Sequence, residues 1–313
     1  MNHPRACGLV LVPLLVAAAG AAARAGVSTP DPLGRHDPAL TAALAPIADS
    51  LGISALAAKG RASLLLADLA GAEPVHAGIA ADSTLGAASM AKLAILAAAF
   101  AAAESRALEI TPDLRQVLER MIRSSSNPDA TRAIQVLGFP RIAAAVEDPR
   151  LALHDPARGG LWVGKDYTGG KVWRVEPRSG EPHAASAARV ARFYALLERG
   201  ELVSQEASAA MREILAVTTF DHKFVAGLRE AVGAQPPLPG GPVAIPGYRI
   251  LRKSGSFGAW QSDSALIEAA GRRYILVCLL ADRAGGEVKL RRLASHVDRL
   301  MAARHAAPST ESH

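Results

Sequence analysis

A serine and a lysine three positions apart, Ser89 and Lys92, open an alanine-rich run of the sequence. If this run is helical, the two side chains lie on one face and the lysine nitrogen can contact the serine hydroxyl. A serine hydroxyl is a weak nucleophile until a neighbouring base takes its proton, and a lysine with a lowered pKa can be that base. The pair is therefore a candidate active site, although the spacing alone is common.

Two further motifs follow in chain order. Ser125 and Asn127 form a Ser-x-Asn motif, and Lys253, Ser254 and Gly255 form a Lys-Ser-Gly motif on a predicted strand. Both also have structural readings, since Ser-x-Asn before a proline is good helix-capping chemistry and a strand lysine can lie at a solvated edge. Ser-x-x-Lys, Ser-x-Asn and Lys-Ser/Thr-Gly in this order form the signature of the penicillin-recognising serine enzymes.

The sequence resembles the class A β-lactamases over nearly the whole chain that follows the N-terminal segment. Beyond the three motifs, Met121-Ile122 and the segment 190–204 look like the corresponding helices of that family. The resemblance implies a β-lactamase/transpeptidase-like fold and an acyl-enzyme intermediate on a β-lactam or related amide. It also implies that neither a metal nor an organic cofactor is needed.

The resemblance gives each motif residue a role. Ser89 would attack the substrate carbonyl, Lys92 would take its proton, and Ser125 would relay a proton to the leaving nitrogen. Lys253 would hold the substrate carboxylate, and its charge would help to keep Lys92 neutral. The backbone NH groups of Ser89 and Ser256 would form the oxyanion hole. The substrate-binding residues are then Asn127, Ser254, Gly255 and Ser256.

The chain departs from the family pattern at the step that releases the acyl group. Ser126 replaces the usual Asp and Ser254 the usual Thr, which leaves acylation possible. Class A enzymes also carry Glu-Pro-x-x-Asn, whose Glu activates the deacylating water, and no such motif occurs over 148–183. Glu176 precedes a proline but lacks the Asn, whereas Asp166 lies nearer the expected place. Asp166 and Glu176 are therefore the possible deacylation bases, and without one turnover is slow.

The predicted elements come in blocks of helices and strands, without alternation. This order favours an α+β fold with five strands in one antiparallel sheet, flanked by the terminal helices, plus an all-helical subdomain at about 84–216. The predicted elements outside that subdomain are a helix over 39–51, strands over 61–69, 75–80, 248–256, 262–269 and 273–280, and a helix over 287–303.

The loop over 148–183 is rich in Gly and Pro, and so long a loop in a compact domain is often functional. Trp162, Tyr167 and Trp173 concentrate in it, either as a pocket wall or as anchors that pin the loop to the core. His222 lies in a segment of a similar kind, and it either faces the cleft or has a structural role.

Composition limits the classes of partner. The chain has 313 residues, 50% hydrophobic and 20% charged, which is typical of a globular protein. Its net charge is +6, but no Lys/Arg run interleaved with aromatic residues supports nucleic-acid binding. Cys278 is the one cysteine beyond the N-terminal segment, so no disulfide framework is expected. We expect a monomer that acts on a small molecule.

The N-terminal segment has the features of a secretory signal peptide over 1–25. A basic start precedes a short apolar run, and small residues, Ala23 and Ala25, stand at the positions that signal peptidase reads. This pattern predicts a periplasmic or secreted protein with no membrane span after cleavage. A linker over 26–38, a domain over 39–305 and a disordered tail over 306–313 complete the predicted organisation.

Overall fold

The computed structural model describes residues 31–237 and 243–306. The expected signal peptide, the first part of the linker and the tail from residue 307 lie outside the described residues. The helices are α1 Pro38–Ser50, α2 Ile53–Ala57, α3 Lys92–Glu104, α4 Pro112–Arg123, α5 Asn127–Leu137, α6 Phe139–Glu147, α7 Ala187–Arg199, α8 Gln205–Leu215, α9 Phe224–Ala231 and α10 Gly286–Arg304. The strands are β1 Arg35–His36, β2 Ala62–Asp68, β3 Val75–Ile79, β4 Leu85–Gly86, β5 His154–Asp155, β6 Gly159–Gly160, β7 Trp162–Val163, β8 His183–Ala185, β9 Tyr248–Phe257, β10 Trp260–Ala269 and β11 Arg272–Ala281.

The main sheet has six strands in the order β1-β3-β2-β11-β10-β9. The expected α+β architecture is confirmed, but the prediction of five antiparallel strands was one short. The additional strand, β1, has two residues and pairs in parallel with β3, whereas the other neighbours are antiparallel. A two-residue strand is too short to show an alternating pattern, and it lies in the segment predicted as a linker.

The sheet is apolar on both faces, and each face has its own core. In β11, Ile275 and Val277 face one cluster while Leu276 and Cys278 face the other, as the period of two in a strand requires. One cluster packs the sheet against α1, α9 and α10, and the other packs it against the helices of the middle block. Helix α3 is buried on almost every side, as its apolar composition predicts.

The long loop over 148–183 is anchored by stacked aromatic rings. Trp173 stacks on Phe139 of α6 at 5.4 Å between ring centroids and on Trp162 at 6.0 Å. Trp162 is buried and donates its indole NH to the carbonyl of Arg174 at 3.2 Å. The two tryptophans therefore pin the loop to the helical block, which decides for the anchor reading at these two positions. Within the described segments, no helix is both long and apolar enough to cross a membrane.

Candidate active site

Ser89 lies on a short 3₁₀ turn, Ala88–Ala91, that leads directly into α3. Ala88 has a left-handed backbone, with φ at +49°, which is costly for a residue that is not glycine. Such strain persists where the surrounding structure imposes it, often at functional sites. The turn leaves Ser89 partly exposed while Ala88 and Met90 on either side are buried.

The edge strand β9 packs tightly against this turn at Gly255. A Cβ atom at residue 255 would lie 2.4 Å from the carbonyl oxygen of Ala87 and 2.8 Å from the backbone nitrogen of Ser89. Ser262 of β10 also donates its hydroxyl to the carbonyl of Ala87 at 3.0 Å. Glycine is thus required at position 255, because a side chain there would prevent β9 from approaching Ser89. This approach brings the backbones of Ser89 and Ser256 to the same cleft.

Lys92 is fully buried at the start of α3, and its amine is held by the Ser-x-Asn motif. Its Nζ donates to the carbonyl of Ser125 at 2.6 Å and to Oδ1 of Asn127 at 2.8 Å, and it lies 3.5 Å from Oγ of Ser125. The sequence predicts contact with Ser89 instead, but in the described part of the chain no hydrogen bond joins Lys92 to that hydroxyl. The motif thus positions the amine beside the turn that carries Ser89.

Burial lowers the pKa of Lys92 to about 7, against a smaller opposing effect from the charge of Asp129. A buried ammonium is poorly solvated, and hence the neutral amine is favoured. At neutral pH a large fraction of Lys92 is therefore unprotonated. A neutral amine has the lone pair that a base needs to accept a hydroxyl proton.

Ser125 joins the two lysines of the cleft. Lys253 donates from Nζ to Oγ of Ser125 at 2.9 Å and to the carbonyl of Ser254 at 2.8 Å. Ser125 has φ at +54°, and the cap of α5 is its neighbour Ser126, whose hydroxyl accepts from the backbone NH of Asp129. The helix-capping reading thus applies to Ser126, while the hydroxyl of Ser125 contacts Lys253.

Lys253 and Arg252 are both buried, which excludes the reading of a solvated strand edge. Arg252 makes an ion pair with Asp263 at 2.7 Å and donates to the carbonyl of His222. Burial, then the charges of Lys92 and Arg252, hold the pKa of Lys253 well below its usual range. An entering carboxylate would favour the ammonium form of Lys253, because opposite charges stabilise each other.

Ser89 opens onto two cavities. One has a volume of about 220 Å³ and is also lined by Asn127, Asp166, Tyr167 and Ser256. The other, of about 460 Å³, is lined by Ser89 with Ser125, His222, Ser254, Gly255 and Ser256. The structure thus brings the three motifs to one cleft, and His222 faces it.

Of the two acids predicted as deacylation bases, the structure brings only Asp166 to the cleft. Glu176 is fully buried, and its Oε2 accepts hydrogen bonds from the backbone NH groups of Arg178 and Ser179. Its Oε1 lies 3.3 Å from Nε2 of His154. Glu176 therefore braces the loop. This corrects its prediction as a candidate base, because hydrogen bonds occupy the carboxylate away from the cavities that border Ser89.

We expect Glu176→Gln to reduce stability while acyl-enzyme loss is unchanged. The substitution replaces a charged acceptor of several hydrogen bonds, and such bonds contribute about 1.5 to 3 kcal/mol each. Denaturant unfolding should show a lower free energy of unfolding for Glu176→Gln than for Glu109→Gln, at an exposed position. Unaltered unfolding together with slower acyl-enzyme loss would contradict the bracing role.

Lys223 is a residue behind the cleft that the sequence analysis did not single out. It is fully buried, and its Nζ donates to the carbonyl of Gly255 and to Oγ of Ser256, both at 2.7 Å. Burial lowers its pKa to about 8. These hydrogen bonds hold β9 in place at Ser256, on the side of the strand away from the cleft. In the sequence, only the position of Lys223 next to the apolar residues Phe224 and Val225 indicates that it is buried.

Fold and cleft together are those of a β-lactamase-like serine enzyme. The sequence model of the β-lactamase enzyme family matches residues 104–297, which is more than half of the chain. The chain belongs to this family. Among curated proteins, none matches the chain at a significant level.

Solved structures with the same fold are similar to this chain at low sequence identity. PBP-A is 18% identical, with a TM-score of 0.62 over 84% of this chain and 97% of its own. A β-lactamase from Sphaerobacter thermophilus is 16% identical, with a TM-score of 0.62 over 84% of this chain and 99% of its own. An ancestral class A β-lactamase is 16% identical, with a TM-score of 0.60 over 83% and 99%.

Proposed function

We propose that the protein is an exported serine hydrolase that opens a β-lactam or related amide through an acyl-enzyme on Ser89. One observation carries the proposal: a partly exposed serine shares a cleft with a buried lysine, whose pKa burial lowers to about 7, and with the Ser125–Lys253 pair. Export is supported by the sequence of the first 25 residues. The family membership supports hydrolysis of amide or lactam bonds.

In the proposed acylation, Oγ of Ser89 forms a bond to the carbonyl carbon while its proton passes to Lys92. The carbonyl oxygen becomes an oxyanion beside the backbone NH groups of Ser89 and Ser256. One such donor typically contributes about 3 kcal/mol to the barrier. The proton then reaches the leaving nitrogen through Ser125, which contacts Lys253 and lies near Lys92.

The substrate is proposed to carry a carboxylate beside the leaving nitrogen. Three cationic side chains lie buried behind the Ser254–Ser256 part of the cleft, those of Lys253, Arg252 and Lys223. Asp263 is the buried carboxylate among them. Once an entering carboxylate has favoured the ammonium form of Lys253, the three cations outnumber the carboxylate of Asp263 and favour an anion at that end. Asn127 and Ser254 supply hydrogen-bonding groups at the cleft wall.

A penicillin-binding role with slow turnover is the second candidate function, or that of a sensor that stays acylated. It is favoured by the absence of the Glu-Pro-x-x-Asn motif and by the burial of Glu176 away from the cleft. A D-alanyl-D-alanine carboxypeptidase has the same acylation chemistry. A variant of PBP-A, which shares the fold, has been solved as an acyl-enzyme complex with penicillin G.

One experiment separates these functions. The protein lacking residues 1–25 is incubated with a fluorescent penicillin and a chromogenic cephalosporin, and intact mass and colour are followed together. A transient adduct with continuing colour release is the expected result for a hydrolase. A lasting adduct without turnover would identify a penicillin-binding or sensing protein, and no adduct would overturn the proposal.

A further inference from the structure

His183 lies beside the turn that carries the proposed nucleophile. It is the first residue of β8, and its carbonyl accepts a hydrogen bond from the backbone NH of Ala87 at 2.8 Å. Ala87 precedes Ser89 by two residues. The side chain of His183 lines the same cavity of about 220 Å³ as Ser89.

Hydrogen bonding fixes the tautomer of this imidazole. Its Nε2 lies 2.8 Å from the carbonyl oxygen of Lys165, and a carbonyl only accepts, so Nε2 carries the hydrogen. In the neutral ring the lone pair is then on Nδ1. Within the part of the chain that the structure describes, Nδ1 has no hydrogen-bond partner and is not enclosed. The ring orientation is held by stacking on Tyr167, at 4.1 Å and 9°.

The surroundings keep the ring neutral. Burial lowers the pKa of His183 against the hydrogen bond to the carbonyl of Lys165, which raises it, and the positive charges of Lys92 on α3 and Lys165 on the loop add to the effect of burial. Tyr167 covers one face of the ring, and Asp166 and Glu181 line the same cavity. The neutral form therefore predominates at neutral pH, and a neutral imidazole can accept a proton.

Asp166 is the other candidate base on the same wall. Its Oδ1 is enclosed and has no hydrogen-bond partner among the described residues, so only Oδ2 can contact water in the cavity. Nδ1 of His183 is likewise not enclosed. A deacylating base must take a proton from water, and an imidazole is intrinsically a stronger base near neutral pH than a carboxylate, which favours the histidine.

We propose that His183 is the general base of deacylation, an inference that rests on the proposed acyl-enzyme at Ser89. Nδ1 takes a proton from water while the water oxygen forms a bond to the acyl carbonyl carbon. The tetrahedral intermediate then collapses, the bond between that carbon and Oγ of Ser89 breaks, and Oγ takes the proton back from the imidazolium. The products are a carboxylic acid and the free enzyme.

The test separates the two half-reactions with penicillin G as the probe. Intact mass spectrometry gives the rate of adduct formation and, after removal of excess penicillin, the rate of adduct loss. His183→Phe retains an aromatic ring against Tyr167 but has no base, and His183→Gln guards against misfolding of the first variant. We expect both variants to acylate normally and to lose the adduct about 10²- to 10⁴-fold more slowly, as removal of a general base predicts.

Asp166→Asn is the matched comparison on the same cavity wall. Asp166→Asn should slow adduct loss by a much smaller factor than the His183 variants do, although by a larger factor than Glu176→Gln does. The wild-type rate of adduct loss should fall in acid as Nδ1 becomes protonated, with an apparent pKa below the usual 6.5 of histidine, and Asp166→Asn should retain that profile. The His183 variants should lose this pH dependence.

Distinct results overturn the two proposals. If wild-type protein forms no adduct, the acyl-enzyme on Ser89 is wrong. If wild type forms an adduct but either releases none of it or releases it as slowly as the histidine variants do, the role of His183 is wrong while the acyl-enzyme stands. The same holds if Asp166→Asn alone abolishes release.

Discussion

Ser89→Ala abolishes covalent labelling by a fluorescent penicillin and leaves the fold intact. The acyl group has no other attachment in the proposed mechanism, because Oγ of Ser89 is the atom that forms the bond. Loss of a serine nucleophile costs roughly six orders of magnitude in turnover in a serine hydrolase. The change removes one oxygen from a partly exposed side chain between Ala88 and Met90, so stability should change little.

Ser105→Ala is the matched control for this prediction. Ser105 ends the helix that Lys92 begins, and its hydroxyl donates to the carbonyl of Ala102 away from the cleft. Labelling is followed by in-gel fluorescence and by intact mass, with thermal unfolding measured on the same samples. Undiminished labelling of Ser89→Ala would show that another group is acylated and would end the proposal.

Acylation is expected to accelerate with rising pH through about 7, the pKa to which burial lowers Lys92. Below this pH the amine is an ammonium, which has no lone pair with which to take the serine proton. Above it the neutral amine predominates and the rate levels off.

Lys92→Met tests the same assignment by substitution. Methionine fills the buried space without a base, and acylation should fall by about two to four orders of magnitude. The carbonyl of Ser125 and Oδ1 of Asn127 lose their donor, so a modest loss of stability accompanies the change. Lys59→Met, at an exposed position, is the control.

Stopped-flow or quenched-flow mass spectrometry gives the acylation rate of each variant over a range that spans neutral pH. A flat profile in the wild-type protein, or acylation of Lys92→Met at the wild-type rate, would remove Lys92 as the base.

The proposed acylation groups could be recognised from the sequence because their motifs are encoded locally. Ser89 and Lys92 are fixed relative to each other by three residues of helical backbone, and Ser125 and Asn127 by the start of another helix. Regular periodicity likewise predicted the strands of β9 to β11 and the buried α3. These features depend on short-range geometry, which a sequence pattern expresses directly.

Other features depend on the path of irregular chain and could not be predicted. Nothing in the spacing of Asp166 and Glu176 tells which carboxylate a loop without periodicity turns toward the cleft. Lys92 meets Ser125 and Asn127 because α3 and α5 pack together, and β9 packs against the Ser89 turn because Gly255 has no side chain.

The sequence by itself determined the family, the α+β fold and the proposed acylation groups, since each rests on motifs or periodic patterns within short segments. Only the tertiary structure decided the parallel strand β1, the bracing role of Glu176, the place of Lys223 behind β9 and that of His183 at the cleft. Those placements are set by long-range packing, where burial and hydrogen bonding between segments far apart in the chain determine what a side chain contacts.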